Sequence, residues 1–284
     1  MQDVNEIASS IASHLGEIEG VAAVALSGAW ARGVANLEAD IDLSIFYYDH
    51  QRPSVDAMRA LALELNSFLS AETVTDFWQQ GPLLNGGAWL WVEGRRVNWQ
   101  YRDVERVRSA LDQAKAGGST AYYQVGHPHG FFSHYYLGEV AHCRPLYDPD
   151  HVLRSLKRNT HPYPPSLKRS LATTFIREAD LTLYAAQQAL SQGDVFYATG
   201  CVYRCIACLV QVLHAVNEEY LMNERQGIAS VMRLDERPDD FESVVTGVVN
   251  GLGTTLATRL ENINQLRGLV QTIQVEHVNL LESG

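Results

Sequence analysis

The chain has 284 residues, 46% of them hydrophobic and 19% charged, enough for two domains each with its own core. Its 33 acidic residues outnumber 22 basic ones, a net charge of −11; nucleic-acid binders instead cluster Lys and Arg against phosphates, so tRNA-like and other polyanionic partners are disfavoured. No apolar stretch reads as a membrane span, no basic-plus-apolar leader opens the chain, and four cysteines without a regular framework fit a reducing cytoplasm.

In chain order, Asp3 to Leu15 reads as a helix with Ile7, Ile11 and Leu15 on one stripe and Asp3 as N-cap. A small-residue strand, Val21 to Ser27, runs into a glycine turn, Ser27-Gly28-Ala29-Trp30-Ala31-Arg32-Gly33. A β-type run from Asp40 to Tyr47 follows, and then a helix from Val55 to Leu69 that Pro53 introduces. After a segment around Phe77 and Trp78 and a Gly81-Pro82 turn comes a predicted hairpin, Ala88 to Glu93 and Arg96 to Tyr101, joined at Gly94-Arg95. In its second arm Asn98 and Gln100 share one face, while Val97, Trp99 and Tyr101 share the other. Asp103 caps a helix from Val104 to Ala116 that ends at Gly117-Gly118. A Pro- and His-rich connection spans 126–165, with a helix around Phe132 to Ala141. Beyond it the pattern is helical, over Ser166 to Gln192, Asp194 to Asn223, Phe241 to Asn250 and Thr254 to Glu282. The expected architecture is α+β: a domain over 1–125 with a small mixed sheet flanked by helices, the connection, and a helical bundle over 166–284.

Asp40 and Asp42 carry the most chemistry. Two residues apart on a strand, they point to one face about 6.6 Å apart at the backbone, where two carboxylates can hold a hard, oxygen-seeking cation such as Mg²⁺. Without a cation such a pair sits most simply at a wet strand start. Upstream, Gly28 lets an anion approach the backbone of the turn, where N–H groups can receive a phosphate. The turn lacks the Gly-Lys-Ser/Thr ending of a Walker A loop.

Leu26-Ser27-Gly28-Ala29-Trp30-Ala31-Arg32-Gly33 together with Ala39-Asp40-Ile41-Asp42-Leu43 resembles the signature of the DNA polymerase β-type nucleotidyltransferases, in particular the small bacterial branch that includes aminoglycoside nucleotidyltransferases. The resemblance is close over about residues 20 to 48, looser over the hairpin near Asn98, and one of architecture over the C-terminal half. It implies metal-dependent transfer of a nucleoside monophosphate from an NTP, ATP foremost, to a hydroxyl of a small molecule. Two Mg²⁺ ions would be held by Asp40 and Asp42, with Asn98 at the third ligand position, and Ser27, Gly28 and Arg32 would bind the nucleotide. An acidic residue from the later region serves as general base in such relatives, and Glu139 is the candidate here. The chain departs from the pattern at Ala29, where a serine is usual, at Ala39, again for serine, and at Asn98, for an acid. Those departures leave open a weakened nucleotide-binding or interaction protein on the same fold. A protein-modifying nucleotidyltransferase is a third reading. The acidic surface suits a small neutral or cationic acceptor.

Other groupings have plainer readings. His127, His129, His134 and His142 lie near Cys143, but their spacing matches no familiar zinc set. Cys201, Cys205 and Cys208 form one helical stripe of small apolar-like thiols. Asp103 and Glu93 are explained by capping and by the hairpin edge. The Arg154 to His161 string falls in a Pro-bounded connection. Ile263, Leu266, Leu269 and Val270 form a stripe that serves either a bundle core or a homodimer contact.

Overall fold

The computed structural model describes residues 3–67, 74–81, 85–252 and 255–277. The predicted helix end at Leu69, the Pro82 half of the turn, and the predicted ends of the last helix at Thr254 and Glu282 lie outside them. The fold is α+β, and the chain divides into two compact units, residues 1–113 with 120–162, and 114–119 with 163–284.

The first unit holds, in order, α1 (Val4–Gly16), β1 (Val21–Ser27), α2 (Gly28–Ala31), β2 (Ile41–Tyr47), α3 (Val55–Leu65), β3 (Gly87–Val92), β4 (Arg95–Asp103), most of α4 (Val104–Lys115), β5 (Ala121–Gln124), β6 (His127–Phe132), α5 (Tyr135–His142), β7 (Arg144–Tyr147) and α6 (Val152–Arg158). Five strands form a mixed sheet in the order β3-β4-β2-β1-β7, with β2 and β4 parallel and the other neighbours antiparallel.

Alternation gives the sheet two unlike faces. Val24 and Leu26 of β1, Ile41, Leu43, Ile45 and Tyr47 of β2, and Val97, Trp99 and Tyr101 of β4 join α1 in the hydrophobic core. The opposite face carries Ser27, Asp42, Ser44, Asn98, Gln100 and Arg102. Helix α1 buries Ile7, Ile11 and Leu15 as its spacing requires, and the Asp3 carboxylate accepts from the Asn5 N–H.

Several local readings need correction. The hairpin turns at Glu93-Gly94, both at positive φ (52° and 78°), so the tight two-residue turn lies one residue earlier than Gly94-Arg95. The stretch His127 to Gly130, expected as a loop, is strand β6, paired with β5 in a two-stranded ribbon where Pro128 and Gly130 are tolerated. Of the Arg154 to His161 string, Arg154 to Arg158 lies in helix α6.

The second unit is helical: α7 (Pro165–Ser191), α8 (Val195–Val216), α9 (Gly227–Val231), α10 (Phe241–Gly251) and α11 (Leu256–Glu276). Helix α8 stops well short of Asn223. Contrary to the sequence expectation, its 22 residues are long and apolar enough to cross a membrane, although 61% of that apolar window is buried inside the protein. Cys201, Cys205 and Cys208 are buried there outside any disulfide, and burial pushes the Cys205 thiol up to about 12, away from reactivity. The Ile263, Leu266, Leu269 and Val270 stripe is buried within this unit, so it serves the core.

Candidate active site

The two acids converge. Asp42 lies on β2 and Asp40 immediately before it, and Asn98 sits opposite Asp42 in the parallel β2–β4 register. The Asn98 amide Nδ2 donates to Asp40 Oδ2 at 3.1 Å and to Asp42 Oδ1 at 3.0 Å. Those two bonds relieve a repulsion that the bare carboxylates would suffer. On its outer side Asp40 Oδ1 has the Arg96 Nε 2.7 Å away; that oxygen is closed off from solvent and receives no aligned hydrogen bond.

The approach to Asp40 is fastened from both sides. Trp30 Nε1 donates to the Ala39 carbonyl at 3.1 Å, and Arg95 Nη1 to the Leu37 carbonyl at 2.6 Å. The glycine turn is equally constrained. Gly28 has φ +65°, and a Cβ built on it would lie 2.1 Å from Asp42 Oδ2. The turn and the second acid are therefore pressed together, and only glycine meets both conditions.

Ser27 ends β1 immediately before Gly28. Its hydroxyl is buried and shares a 2.6 Å hydrogen bond with Ser44 on the next strand. Arg32 is exposed at the C-terminal end of α2.

Glu139 reaches the same sheet face. Its two carboxylate oxygens accept from Arg102 Nε and Nη2, each at 2.8 Å, and the Arg102 side chain is fully buried. That guanidinium also donates to Gln100 Oε1 and the Tyr101 carbonyl and lies 5.6 Å from the centre of the Tyr136 ring. Burial opposes its charge, but the Glu139 carboxylate, with lesser help from Asp42, raises the Arg102 pKa above the ordinary range. Asp42, Asn98, Gln100, Arg102 and Glu139 thus form a polar band across the sheet. Arg96 and Arg102 were not read from sequence as site residues. The signal was available for Arg102, which alternates with Asn98 and Gln100 on one arm.

The remaining candidates take quieter places. Asp103 Oδ1 accepts from the Glu105 N–H at the start of α4, and burial raises its pKa. Glu93 occupies the hairpin turn. His127, His129 and His134 pack against Phe131, Phe132 and Tyr135 respectively.

His142 ends α5. Burial first, then the charges of Arg32, Lys157 and His161, lower its pKa below the usual 6.5. The unfolded chain binds the extra proton below about pH 6.5, so the folded state is fully favoured above that pH and loses stability as pH falls toward the lowered value. Urea midpoints at pH 7.5 and 5.5 should drop further for wild type than for His142→Gln.

No protein-family model matches the chain, and no curated relative is found. Among solved structures, it is similar to a nucleotidyltransferase-like protein from Exiguobacterium sibiricum 255-15, with a TM-score of 0.47 and 12% identity over 98% of this chain and 78% of that one.

Proposed function

We propose that the protein transfers a nucleoside monophosphate from an NTP to a hydroxyl of a small acceptor in a reaction that depends on a divalent cation. The observation that carries this reading is the convergence of Asp40 and Asp42 on Asn98 beside the Gly28 turn. The motif resemblance points the same way. Two carboxylates and an amide oxygen are hard donors suited to Mg²⁺; for an ion to use Asp40 Oδ1, the Arg96 guanidinium 2.7 Å from it must turn away.

Asp40 and Asp42 would hold the ion, and Asn98 would join them by turning its amide oxygen inward. When bound, the ion would draw charge from the triphosphate and the attacking oxygen. Gly28 lets the turn close on Asp42, so that its backbone would meet the phosphates beside the acids, and Arg32, exposed at the end of α2, would supply charge to them. The acceptor oxygen forms its bond to the α-phosphorus as the bond to the β-phosphate oxygen breaks, releasing pyrophosphate. Glu139 is the acid of this face for the acceptor's proton, since each of its oxygens keeps a lone pair beyond its bond to Arg102. The net charge of −11 favours a neutral or cationic acceptor.

A second reading, a nucleotide-binding protein without turnover, is favoured by Asn98 and Arg96, because together they neutralise the acids using the chain's own groups. Mg-ATP binding and pyrophosphate release across a panel of hydroxylated small molecules separate the two. Wild type should bind Mg-ATP and release pyrophosphate with a subset of acceptors, while Asp42→Asn should do neither. Binding without release, gained on Asn98→Asp, selects the second reading. Mg-ATP affinity unchanged in Asp42→Asn rejects both. Radiolabel appearing on a polypeptide would identify a protein as the acceptor.

A further inference from the structure

Strand β3 places two tryptophans beside this site. Trp89 lies opposite Asn98 and Trp91 opposite Arg96 in the antiparallel β3–β4 register. Directly opposite residues share a face, with Cβ atoms about 4.5–5.5 Å apart. Asn98 is in turn opposite Asp42, and Arg96 is ion-paired with Asp40. Asp42, Asn98 and Trp89 therefore form a row across three strands, and beside it Arg96 and Trp91 form a second that Asp40 joins through its ion pair. The distance from acids to indoles is two strand spacings, about 10 Å.

The alternation on β3 leaves the indoles outward. Leu90 and Val92 belong to the core, whereas Trp89 is 47% exposed and Trp91 38% exposed. Along β3 the same alternation puts Gly87, which has no side chain, next to Trp89 on this face. Two indoles are far smaller than the roughly 800 Å² per partner of a stable protein interface. Trp89, the more exposed of the two, is within reach of the nucleoside of a triphosphate whose phosphates lay at Asp40, Asp42 and Gly28.

We propose that Trp89 forms the stacking platform for the nucleobase of the NTP. This rests on the nucleotidyl-transfer reading and adds to it the subsite that holds the nucleoside. Stacking on an indole uses the π-face that every base presents, so the platform accepts nucleoside triphosphates without discriminating between bases; choice of base must come from edge contacts elsewhere.

The test uses the full-length chain, with magnesium, and compares ATP, GTP and inorganic tripolyphosphate by calorimetry. Wild type should bind both nucleotides more tightly than tripolyphosphate, and the nucleotides should quench tryptophan fluorescence. Trp89→Leu should weaken ATP and GTP alike by about 10-fold or more and leave tripolyphosphate within about twofold. Trp89→Tyr, which keeps a ring, should restore most of the loss, and an unchanged unfolding midpoint shows that each variant is folded. Equal weakening of all three ligands, or of none, overturns the platform while leaving the triphosphate site intact. If wild type binds neither nucleotide nor tripolyphosphate, the nucleotidyl-transfer reading fails and the platform with it.

Discussion

Arg102→Met should destabilise the first unit by about 3–5 kcal/mol, the usual cost of breaking a buried ion pair by removing one partner. The guanidinium is wholly buried and holds Glu139 through two parallel hydrogen bonds, Gln100 through a third and the Tyr101 carbonyl through a fourth. Removing it strands the Glu139 carboxylate, only 17% exposed, with neither its charge partner nor enough water. All five tryptophans fall between Trp30 and Trp99, within the first unit, so urea unfolding followed by tryptophan emission reports this unit alone. A double variant, Arg102→Met with Glu139→Leu, should recover most of the loss, because well-packed apolar replacements often equal a buried pair. Recovery by the double variant, with the single one severely destabilised, marks the pair as self-compensating. A single-variant loss below about 1 kcal/mol would show that the pair is solvated.

The features legible in the sequence are those that local chemistry determines. Asp3 before an apolar stripe gives α1, small β-formers ending at Ser27-Gly28 give β1 and its turn, and alternation places Val97, Trp99 and Tyr101 opposite Asn98 and Gln100. The pairing of Asp40 with Asp42 on one side follows from the same period. What escaped depends on partners far along the chain. Strand β7, Arg-Pro-Leu-Tyr, carries a proline and pairs only as the sheet's edge beside β1, so nothing in its four residues announces a strand. Strand β6 reads as a loop for the same reason, with Pro128 and Gly130 inside six residues. The attachment of Glu139 to Arg102 joins residues 37 apart, and its strength comes from burial that no spacing reveals. Ser27 shows the limit in a smaller way. Its position beside the turn is legible, whereas the bond of its hydroxyl to Ser44 on the next strand is not.

Gly28→Ala should remove Mg-ATP binding while leaving the first unit folded. At φ +65° an L side chain costs about 1–2 kcal/mol, a loss most small domains survive. The larger effect is steric and local. The new methyl would stand 2.1 Å from Asp42 Oδ2, so the carboxylate must swing away, and its Oδ1 then leaves the Asn98 amide that ties it to Asp40. One methyl group thus displaces an acid, breaks the bridge between the acids and narrows the phosphate approach. The expected loss of affinity is on the order of 100-fold or more, the scale seen when a close charged contact is broken. Gly33→Ala separates strain from obstruction, because Gly33 also has a positive φ, +71°, but an added Cβ there meets no atom within 4 Å. Calorimetry should find Gly33→Ala close to wild type in affinity, with an unfolding midpoint lowered by the strain alone and so less than in Gly28→Ala. Comparable loss of affinity in both variants would trace the effect to backbone strain in the 28–33 loop and detach the acids from the turn. Full affinity in Gly28→Ala would place the triphosphate away from Asp42 altogether.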